Sequence, residues 1–367
     1  MRILISAGGT GGHVYPALAA AEALIRLVPG VSLSFVGSVG GFERPLVEAA
    51  GLPFADYREV RAGPLHGVSL PRKLWSAVNL AAGTLQALAL MLRRRPGAIF
   101  ITGGWSGLPV SLAGWLLRVP IMIFLPDIEP GLAIKALRPF ARRVAVTTGD
   151  SRRYFPARKV IVTGYPLRQA VLDASRERAI QHFRLDPARQ TLLVFGGSRG
   201  ARAINNALMD VLPGLLAEGI QVLHVTGTLD WPDIEKRAVG LPDTYHAFPY
   251  LHSDMGLALA AADLVVSRAG ASVLGEFPFF GLASVLVPYP HAWRYQKVNA
   301  DYLASRGAAV RLDEERLAED LLPTVRDLLT GDNTRLETMR RQAAALAQPD
   351  GARCIAEELV NLAGGRS

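Results

Sequence analysis

Two short segments combine glycine with hydroxyl and basic residues, and each lies between a strand-like and a helix-like run. They are Gly8-Gly9-Thr10-Gly11-Gly12-His13 and Gly196-Gly197-Ser198-Arg199-Gly200. A strand that turns through glycines into a helix gathers unpaired backbone N–H groups and the positive end of the helix dipole at one point, where phosphates bind. The recurrence about half a chain apart predicts two similar α/β domains with a cleft between them.

Length and composition fit a two-domain soluble protein. The 367 residues are half apolar and one-fifth charged, which suits two hydrophobic cores. The single cysteine, Cys354, excludes an intrachain disulfide and a thiolate metal cluster, and it indicates a reduced, cytosolic setting. No cationic segment followed by an apolar one opens the chain, so we expect no signal peptide. The sequence requires no cofactor, and it leaves a dependence on Mg²⁺ open.

Positive charge is concentrated in the first half of the chain. Residues 1–164 hold 19 Lys and Arg against 8 Asp and Glu, whereas the remaining residues hold 21 against 24. A basic face of this kind attracts nucleic acid, anionic lipid or a diphosphate substrate. Because no RNA-binding signature or other nucleic-acid motif is present, we expect lipid or diphosphate and not nucleic acid.

An uncharged stretch, Leu74–Leu92, lies between basic residues at both ends. Polar residues interrupt it, and it falls about one residue short of the ~20 apolar residues that a spanning helix needs. It is consistent with a buried helix, with a membrane-spanning helix, or with an interfacial surface that dips into a bilayer while its cations contact anionic headgroups. The membrane contacts predicted by the last interpretation are Arg72, Lys73, Leu74, Trp75, Arg93, Arg94 and Arg95.

Strand-like and helix-like runs alternate along the whole chain, which favours parallel sheets covered on both faces. The expected strands are Arg2–Ser6, Leu33–Val36, Ala98–Thr102, Ile121–Leu125, Arg143–Val146, Lys159–Thr163, Leu192–Phe195, Gln221–Thr226, Thr244–Phe248, Leu264–Ser267, Ser284–Pro288 and Ala309–Arg311.

Two nucleotide-binding patterns fit the sequence poorly. Read from Gly9, the dinucleotide pattern G-x-G-x-x-G has Val14 at its last glycine, and no acidic residue ends the second strand at Gly37-Ser38. This spacing argues against an NAD-dependent dehydrogenase. A P-loop is also absent, since no Gly-Lys-Ser/Thr stands at the required spacing.

Six motifs in one order resemble those of the MurG family of glycosyltransferases. They are Ala7–Ala19 (AGGTGGHVYPALA), Thr102–Gly107 (TGGWSG), Thr163–Arg168 (TGYPLR), Gly196–Ala201 (GGSRGA), Ser267–Glu276 (SRAGASVLGE) and Tyr295–Ala300 (YQKVNA). The resemblance implies a GT-B α/β fold, in which two Rossmann-like doubly wound domains face each other across a cleft. We expect an acceptor and membrane-facing domain over 1–164 plus 343–367, and a donor domain over 165–342.

The resemblance also implies an activity. An enzyme of this family transfers N-acetylglucosamine from UDP-N-acetylglucosamine to the polyprenyl-diphosphate-linked acceptor lipid I, with inversion, and gives lipid II for peptidoglycan synthesis. Such an enzyme is cytoplasmic and peripheral on the inner face of the cell membrane.

Donor binding is expected at the two glycine turns in the second half of the chain, at Gly196–Gly200 and at Gly270. The resemblance implies that Glu276 accepts hydrogen bonds from the ribose hydroxyls, although a glutamate in a first helical turn also favours the helix dipole. The remaining candidates would bind the diphosphate, the sugar or the uracil: Arg168, Ser198, Gly270, Ala271, Ser272, Val273, Gln296, and Leu251 beside Tyr250. Arg168 and Gln296 could instead be solvated helix residues.

Acceptor binding is expected at the two glycine turns in the first half of the chain. Their residues Thr10, Gly11, Gly12, Gly103 and Gly104 would hold the acceptor diphosphate. His13 is the candidate general base, because imidazole titrates in the useful range and a helix start lowers its pKa. His13 could instead donate a hydrogen bond to the diphosphate or cap the loop. Asp127 is a second candidate base, and Glu129 is a weaker one.

One departure from the family concerns the acceptor half. Where the family has His-Glu-Gln-Asn, this chain has Phe124-Leu125-Pro126-Asp127. A carboxylate at 127 would repel a diphosphate unless a metal or an arginine intervened. Two alternatives therefore stay open: a UDP-sugar transferase with another polyprenyl-linked or lipid acceptor, and a catalytically silent donor-binding scaffold.

Overall fold

The computed structural model of the chain describes residues 1–9, 11–63, 69–197, 200–290, 295–332 and 334–365, with only the backbone described for 70–74. It divides into two compact units. The first unit is Met1–Arg168 with Pro349–Ser367, and the second unit is Gln169–Gln348. Both are α/β units built on a parallel sheet, which confirms the predicted fold class of two Rossmann-like domains.

The first unit alternates strands with helices. In chain order its elements are β1 (Arg2–Ser6), α1 (Gly11–Leu27), β2 (Ser32–Ser38), α2 (Glu43–Ala49), β3 (Phe54–Val60), α3 (Leu70–Arg94), β4 (Ala98–Ile101), α4 (Gly107–Leu116), β5 (Ile121–Leu125), α5 (Leu132–Leu137), β6 (Arg143–Val146), two 3₁₀ turns (Gly149–Tyr154 and Ala157–Lys159) and β7 (Val160–Val162).

The second unit repeats the pattern. Its elements are α6 (Gln169–Leu172), α7 (Arg176–Phe183), β8 (Thr191–Phe195), α8 (Arg202–Ala217), β9 (Gln221–Val225), α9 (Trp231–Arg237), β10 (Tyr245–Phe248), α10 (Met255–Ala261), β11 (Leu264–Ser267), α11 (Val273–Phe280), β12 (Ala283–Leu286), α12 (Tyr295–Ala304), β13 (Ala309–Arg311), a 3₁₀ turn (Glu314–Arg316), α13 (Leu317–Leu329) and α14 (Thr334–Ala344).

The last helix returns the chain to the first unit. Helix α15 (Gly351–Ala363) packs on α1 and buries Ile355 and Leu359 completely. Helix α14 packs on α11 and stays with the second unit. The unit boundaries therefore fall after Arg168 and Gln348, which corrects the boundaries expected at 164 and 342.

Each sheet is parallel throughout and reverses its strand order once. The orders are β3-β2-β1-β4-β5-β6-β7 in the first unit and β10-β9-β8-β11-β12-β13 in the second. Strands β4 and β5 are buried along their whole length, as expected where helices cover both faces of a parallel sheet. The order reverses between β1 and β4 and between β8 and β11. These are the positions where open α/β sheets leave a crevice at the carboxyl ends of their strands.

Strand β3 was not expected from the sequence. It pairs with β2 at the edge of the first sheet, with a register shift between Leu33 and Ser34. Its residues are mostly half-buried or exposed, because an edge strand has only one neighbour and a partly covered face. The polar residues Asp56, Arg58 and Glu59 therefore mask the apolar pattern by which the other strands were predicted.

Candidate active site

The first unit brings the predicted acceptor residues to one edge of its sheet. Helix α1 begins at Gly11, five residues after the end of β1, and Gly103 and Gly104 follow β4. Because β1 and β4 are the two strands between which the order reverses, Gly11, Gly12, His13 and these glycines surround the crevice of the first sheet. Thr10 lies outside the described residues.

The ring of His13 packs directly on the backbone of Gly103. A Cβ atom added at Gly103 would lie 2.4 Å from His13 Cδ2 and 2.7 Å from His13 Nε2. Gly103 also has φ +139°, which other residues rarely adopt. From the preceding residue, the Thr102 hydroxyl donates a hydrogen bond of 2.6 Å to the His13 carbonyl oxygen. The end of β4 thus fixes both the backbone and the ring of His13.

Burial lowers the pKa of His13 below its ordinary value of 6.5, and a hydrogen bond to the Gly8 backbone acts in the opposite direction without cancelling this effect. The direction agrees with the sequence analysis, but its main cause is burial. The ring is therefore neutral at pH 7. If the Gly8 carbonyl accepts the one N–H of the neutral ring, the other nitrogen carries no proton and can act as a base.

Asp127 lies on the same edge, in the segment that follows β5. Hydroxyls from the end of β6 and from the following turn hold this segment: Thr147 donates to the Pro126 carbonyl at 2.7 Å, and Ser151 donates to the Ile128 carbonyl at 2.9 Å. Asp127 itself is half-buried. Since β4 lies between β1 and β5, the ends of these two strands are about 10 Å apart. Glu129 accepts a 2.9 Å hydrogen bond from the Tyr154 hydroxyl.

Two departures from the family sequence pack against each other. Phe124 replaces a histidine of the family pattern, and Tyr165 replaces the asparagine of its Thr-Gly-Asn-Pro segment. Their rings meet edge to face with centroids 6.0 Å apart, and both side chains are buried, at 0% and 3% exposure. An aromatic pair here fills the interior of the first unit.

Arg168 belongs to the first unit and not, as expected, to the donor domain. Its guanidinium carbon lies 4.3 Å from the ring centroid of Tyr15, which is two residues beyond His13 on α1. A cation over an aromatic face is attracted by the ring quadrupole, and the contact orders a long side chain. Arg168 is therefore held beside the first turn of α1.

The second unit places the other two glycine turns at its own reversal. Gly196 and Gly197 follow β8, and Gly270 follows β11 just before α11 begins. A Cβ atom added at Gly270 would meet open space, so the backbone there can be approached closely. Ser198 lies outside the described residues.

The turn from β11 to α11 presents three of the four predicted N–H donors. Within the described residues, the N–H groups of Gly270, Ala271 and Ser272 have no backbone acceptor. The Val273 N–H instead donates to the Gly270 carbonyl at 3.2 Å, because the chain already turns as a tight helix there. The Val273 N–H is therefore already paired within the turn, unlike those of the three preceding residues.

Two side chains not identified from the sequence hold this turn. Asn299, fully buried on α12, donates a 3.1 Å hydrogen bond from its amide to the Ala269 carbonyl. Arg268 forms an ion pair with Glu314 and donates at 3.3 Å to the carbonyl of Val287. Both residues lie inside the motifs quoted above. A polar residue placed next to apolar ones is the sequence feature that could have identified them.

The remaining predicted donor residues lie around the same unit. Glu276 is half-buried in the first turn of α11, and its N–H donates to the Ser272 carbonyl at 2.8 Å. The Gln296 side-chain oxygen accepts a 2.9 Å hydrogen bond from the Tyr289 N–H, so Gln296 is not simply solvated. Leu251 follows β10 with its side chain buried.

Comparison with known proteins identifies the class. Residues 3–146 match the glycosyltransferase family 28 N-terminal domain, and residues 191–355 match the family 28 C-terminal domain. The chain is thus a family 28 glycosyltransferase.

Individual relatives show to which family of glycosyltransferases the chain belongs. The UDP-N-acetylglucosamine–N-acetylmuramyl-(pentapeptide) pyrophosphoryl-undecaprenol N-acetylglucosamine transferase of Desulforudis audaxviator is 39% identical, with 99% of both chains covered. The enzyme of the same name from Halalkalibacterium halodurans is 34% identical, with 96% of this chain and 97% of the relative covered. The chain belongs to this family of N-acetylglucosamine transferases, the MurG family, as the six motifs indicated.

Solved structures agree. The crystal structure of Acinetobacter baumannii MurG superposes with a TM-score of 0.75 at 26% identity, covering 98% of this chain and 99% of that one. A Neisseria meningitidis UDP-GlcNAc 2-epimerase bound to UDP-GlcNAc gives a TM-score of 0.71 at 12% identity, covering 98% and 100%. The latter likeness concerns the fold alone.

The contact between His13 and Gly103 can be tested by adding one methyl group. We expect Gly103→Ala to displace the His13 ring and to cost about 1–3 kcal/mol of stability, because the new Cβ overlaps the ring and φ is unfavourable. The ¹⁵N chemical shifts of the His13 ring and denaturant unfolding measure both effects. Gly149→Ala is the matched control, since its Cβ would meet open space. Unchanged His13 resonances in Gly103→Ala would contradict the contact.

Proposed function

We propose that this chain transfers N-acetylglucosamine from UDP-N-acetylglucosamine to lipid I, with inversion at the anomeric carbon, and forms lipid II for peptidoglycan synthesis. The observation that carries the proposal is full-length similarity to transferases of that name, combined with a glycine turn at the strand reversal of each sheet. Each unit thereby offers its own site for a phosphate-containing ligand.

The donor binds at the reversal of the second sheet. The N–H groups of Gly270, Ala271 and Ser272 donate hydrogen bonds to the diphosphate, and the dipole of α11 adds positive potential there. Glu276, one turn into α11, accepts hydrogen bonds from the ribose hydroxyls. Ser198 and Gln296 complete the contacts to diphosphate and sugar, and uracil lies near Leu251.

The acceptor binds at the reversal of the first sheet, with its diphosphate on the turns at Gly11–Gly12 and Gly103–Gly104. His13 takes the proton from the acceptor hydroxyl while that oxygen forms its bond to the anomeric carbon. The bond from this carbon to the UDP oxygen breaks at the same time. The donor-site N–H groups stabilise the negative charge that accumulates on the departing diphosphate.

Asp127 is the second candidate for receiving that proton. It lies on the same sheet edge, about two strand spacings from the end of β1. A carboxylate beside a diphosphate needs a neighbouring cation, and the basic first half of the chain can supply one. Comparing the pH profiles of the wild type and His13→Ala separates the two candidates, because an acidic limb that belongs to His13 disappears when its imidazole is removed.

The altered segment before Asp127 is compatible with lipid I. Phe124 and Leu125 are buried in β5, and Phe124 packs on Tyr165, so neither side chain faces a ligand. Pro126 is buried as well, so the loss of three polar residues from this segment changes the interior of the first unit and leaves the ligand-facing edge to Asp127.

The first unit also carries an exposed apolar surface that suits a bilayer. On α3, Val78, Leu85 and Leu92 repeat every seven residues and are about 60% exposed or more, and Trp75 precedes them at 64%. Trp115, at the end of the neighbouring α4, is 59% exposed. We call Trp75, Val78, Leu85, Leu92 and Trp115 the apolar stripe.

Basic residues flank the apolar stripe. Arg93 and Arg95 are exposed at the end of α3, whereas Arg94 forms a 3.0 Å ion pair with Asp56 and is left out of the proposed surface. Arg72, Lys73 and Leu74 precede the stripe, although their side chains lie outside the described part of the chain. Apolar insertion combined with cationic flanks fits the anionic inner face of the cell membrane.

Helix α3 is also long and apolar enough, by length and composition alone, to cross a membrane over Trp75–Arg94. The face of α3 opposite the apolar stripe is buried, which indicates that the helix lies along the first unit. Ser76, Ala87 and Met91 are buried, and the Gln86 side chain accepts a 2.9 Å hydrogen bond from the Arg61 N–H. The enzyme is accordingly peripheral on the membrane.

A transfer assay tests the activity directly. We expect labelled N-acetylglucosamine to pass from UDP-N-acetylglucosamine to a short-chain lipid I analogue. His13→Ala should lower kcat about 10²- to 10⁴-fold with little change in the KM for the donor, because the base is lost and the donor site is not touched. His182→Ala, an exposed histidine paired with Asp254, is the control. Donor hydrolysis without transfer would contradict lipid I as the acceptor.

The pH profile of the same assay identifies the base. A base must be unprotonated, and the pKa of His13 lies below 6.5, so kcat/KM should stay level near pH 7 and fall only at more acidic pH. An acidic limb centred above pH 6.5 would contradict His13 as the base. A limb that persists in His13→Ala would point to Asp127.

Donor recognition by Glu276 can be measured by calorimetry. We expect Glu276→Gln to weaken UDP binding about 10- to 100-fold, because one of two charge-assisted hydrogen bonds to ribose becomes unfavourable. Glu319→Gln, on the exposed face of α13, is the matched control. Equal affinity of wild type and Glu276→Gln would remove Glu276 from the donor site.

Membrane attachment can be tested with liposomes. We expect the double change Trp75→Ser and Leu85→Ser to reduce pelleting with anionic liposomes at least about tenfold, since each exposed side chain adds on the order of 1.5 kcal/mol or more when it inserts. Val239→Ser, at an exposed site of the second unit, is the control. Unchanged pelleting of the double variant would contradict the apolar stripe as the attachment surface.

A further inference from the structure

We propose that Glu43 is a positioning residue for the acceptor end of the first unit, where its side chain braces Gly8 and, through Gly8, the ring of His13. This inference rests on the proposed function, in which His13 faces the acceptor. It assigns a task to a carboxylate that the family motifs quoted above do not include.

Glu43 is a buried charged residue without a cationic partner in the described part of the chain. It begins α2 and is 0% exposed. One carboxylate oxygen, Oε1, accepts a hydrogen bond from the Ser38 N–H at the end of β2. The other oxygen, Oε2, is buried and has no hydrogen-bond partner among the described residues. Burying a carboxylate in this way is costly, so its retention calls for a task at this position.

The carboxylate packs closely against Gly37 and Gly41 and reaches toward Gly8; a Cβ atom added at Gly41 would overlap both of its oxygens. A Cβ atom added at Gly8 would lie 3.5 Å from Glu43 Oε1 and 2.9 Å from the Ser106 hydroxyl. A Cβ atom added at Gly37 would lie 2.8 Å from the same Oε1. Glu43 thus fills the volume that a side chain at Gly37 would need. It also lies at van der Waals distance from the Cβ position of Gly8, where the hydroxyls of Ser106 and Ser38 are the nearer neighbours.

Gly8 is held from the β4 side as well. Ser106, fully buried at the start of α4, is one contact, and a Cβ atom added at Gly104 would lie 2.7 Å from the Gly8 carbonyl oxygen. The hydrogen bond of His13 is made to the backbone of this same Gly8. The position of Gly8 therefore sets the orientation of the His13 ring. Glu43 is one of the residues that pack around Gly8 and limit its position.

Tyr57 forms the outer wall of the carboxylate. Its ring stacks on Phe35 with centroids 5.7 Å apart, and a Cβ atom added at Gly37 would lie 2.5 Å from its hydroxyl oxygen. Burial, with a further contribution from the charge of Glu43, raises the pKa of Tyr57 to about 12. Tyr57 is thus neutral at pH 7 and lies near the Glu43 carboxylate, beside Gly37.

Three variants separate positioning from charge and from bulk stability. Glu43→Gln keeps the length and the oxygen that accepts from Ser38, Glu43→Asp keeps the charge but shortens the reach by one methylene, and Glu43→Ala removes both. Glu59→Gln, a nearby carboxylate paired with Arg44, is the control. Each variant is measured for kcat, for the KM of both substrates, and for the ¹⁵N chemical shifts of the His13 ring.

We expect Glu43→Gln to stay near the wild-type rate. Glu43→Asp and Glu43→Ala should lose about 10- to 100-fold in kcat with an unchanged KM for UDP-N-acetylglucosamine, because the acceptor-side geometry shifts while the second unit is untouched. Both should also move the His13 resonances. If Glu43→Ala does not fold, the comparison of Glu43→Asp with Glu43→Gln decides.

The proposal is overturned if Glu43→Asp leaves the His13 resonances and kcat at wild-type values. It is also overturned if Glu43→Gln loses as much activity as Glu43→Asp, since charge and not reach would then matter. The resonances separate this proposal from the proposed function. If His13→Ala were fully active, His13 would not be the base, yet shifted resonances in Glu43→Asp would still support the brace.

Discussion

Parallel strand pairing is the constraint on which both sites depend. Every connection between parallel strands must cross a face of the sheet, so all carboxyl ends meet at one edge. Where the strand order reverses, neighbouring connections diverge to opposite faces and leave a crevice. The chain meets this constraint twice, between β1 and β4 and between β8 and β11, and in both places it supplies glycine turns through which a ligand can reach the backbone.

The two crevices are built differently because their proposed tasks differ. In the second unit Asn299 and Arg268 hold the turn at Gly270, and the space where a Cβ at Gly270 would lie is open. In the first unit a side chain lines the crevice, since the His13 ring packs on Gly103. One site is suited to holding an anion with the backbone, and the other to placing a neutral imidazole near an acceptor hydroxyl.

Much of this could be predicted from the sequence, since twelve of the thirteen strands in the described part of the chain have apolar runs and the glycine turns follow strands directly. Each feature that the sequence did not reveal has its own physical reason. Strand β3 was missed because an edge strand with polar residues lacks the buried pattern. Val273 was assigned a free donor because the tight turn before α11 is not visible in residue types. Glu43 gave no signal, since its burial depends on Gly8 and Gly37, which come together only in the folded unit.

Hydrogen exchange with each ligand in turn tests the central claim, that each crevice holds its own substrate. UDP-N-acetylglucosamine alone should protect the amides of residues 268–276, and a short-chain lipid I analogue alone should protect the amides of residues 8–13 and 103–107. The account would be contradicted if the donor protected the first unit's turns and left 268–276 unchanged, or if the lipid I analogue protected only the second unit.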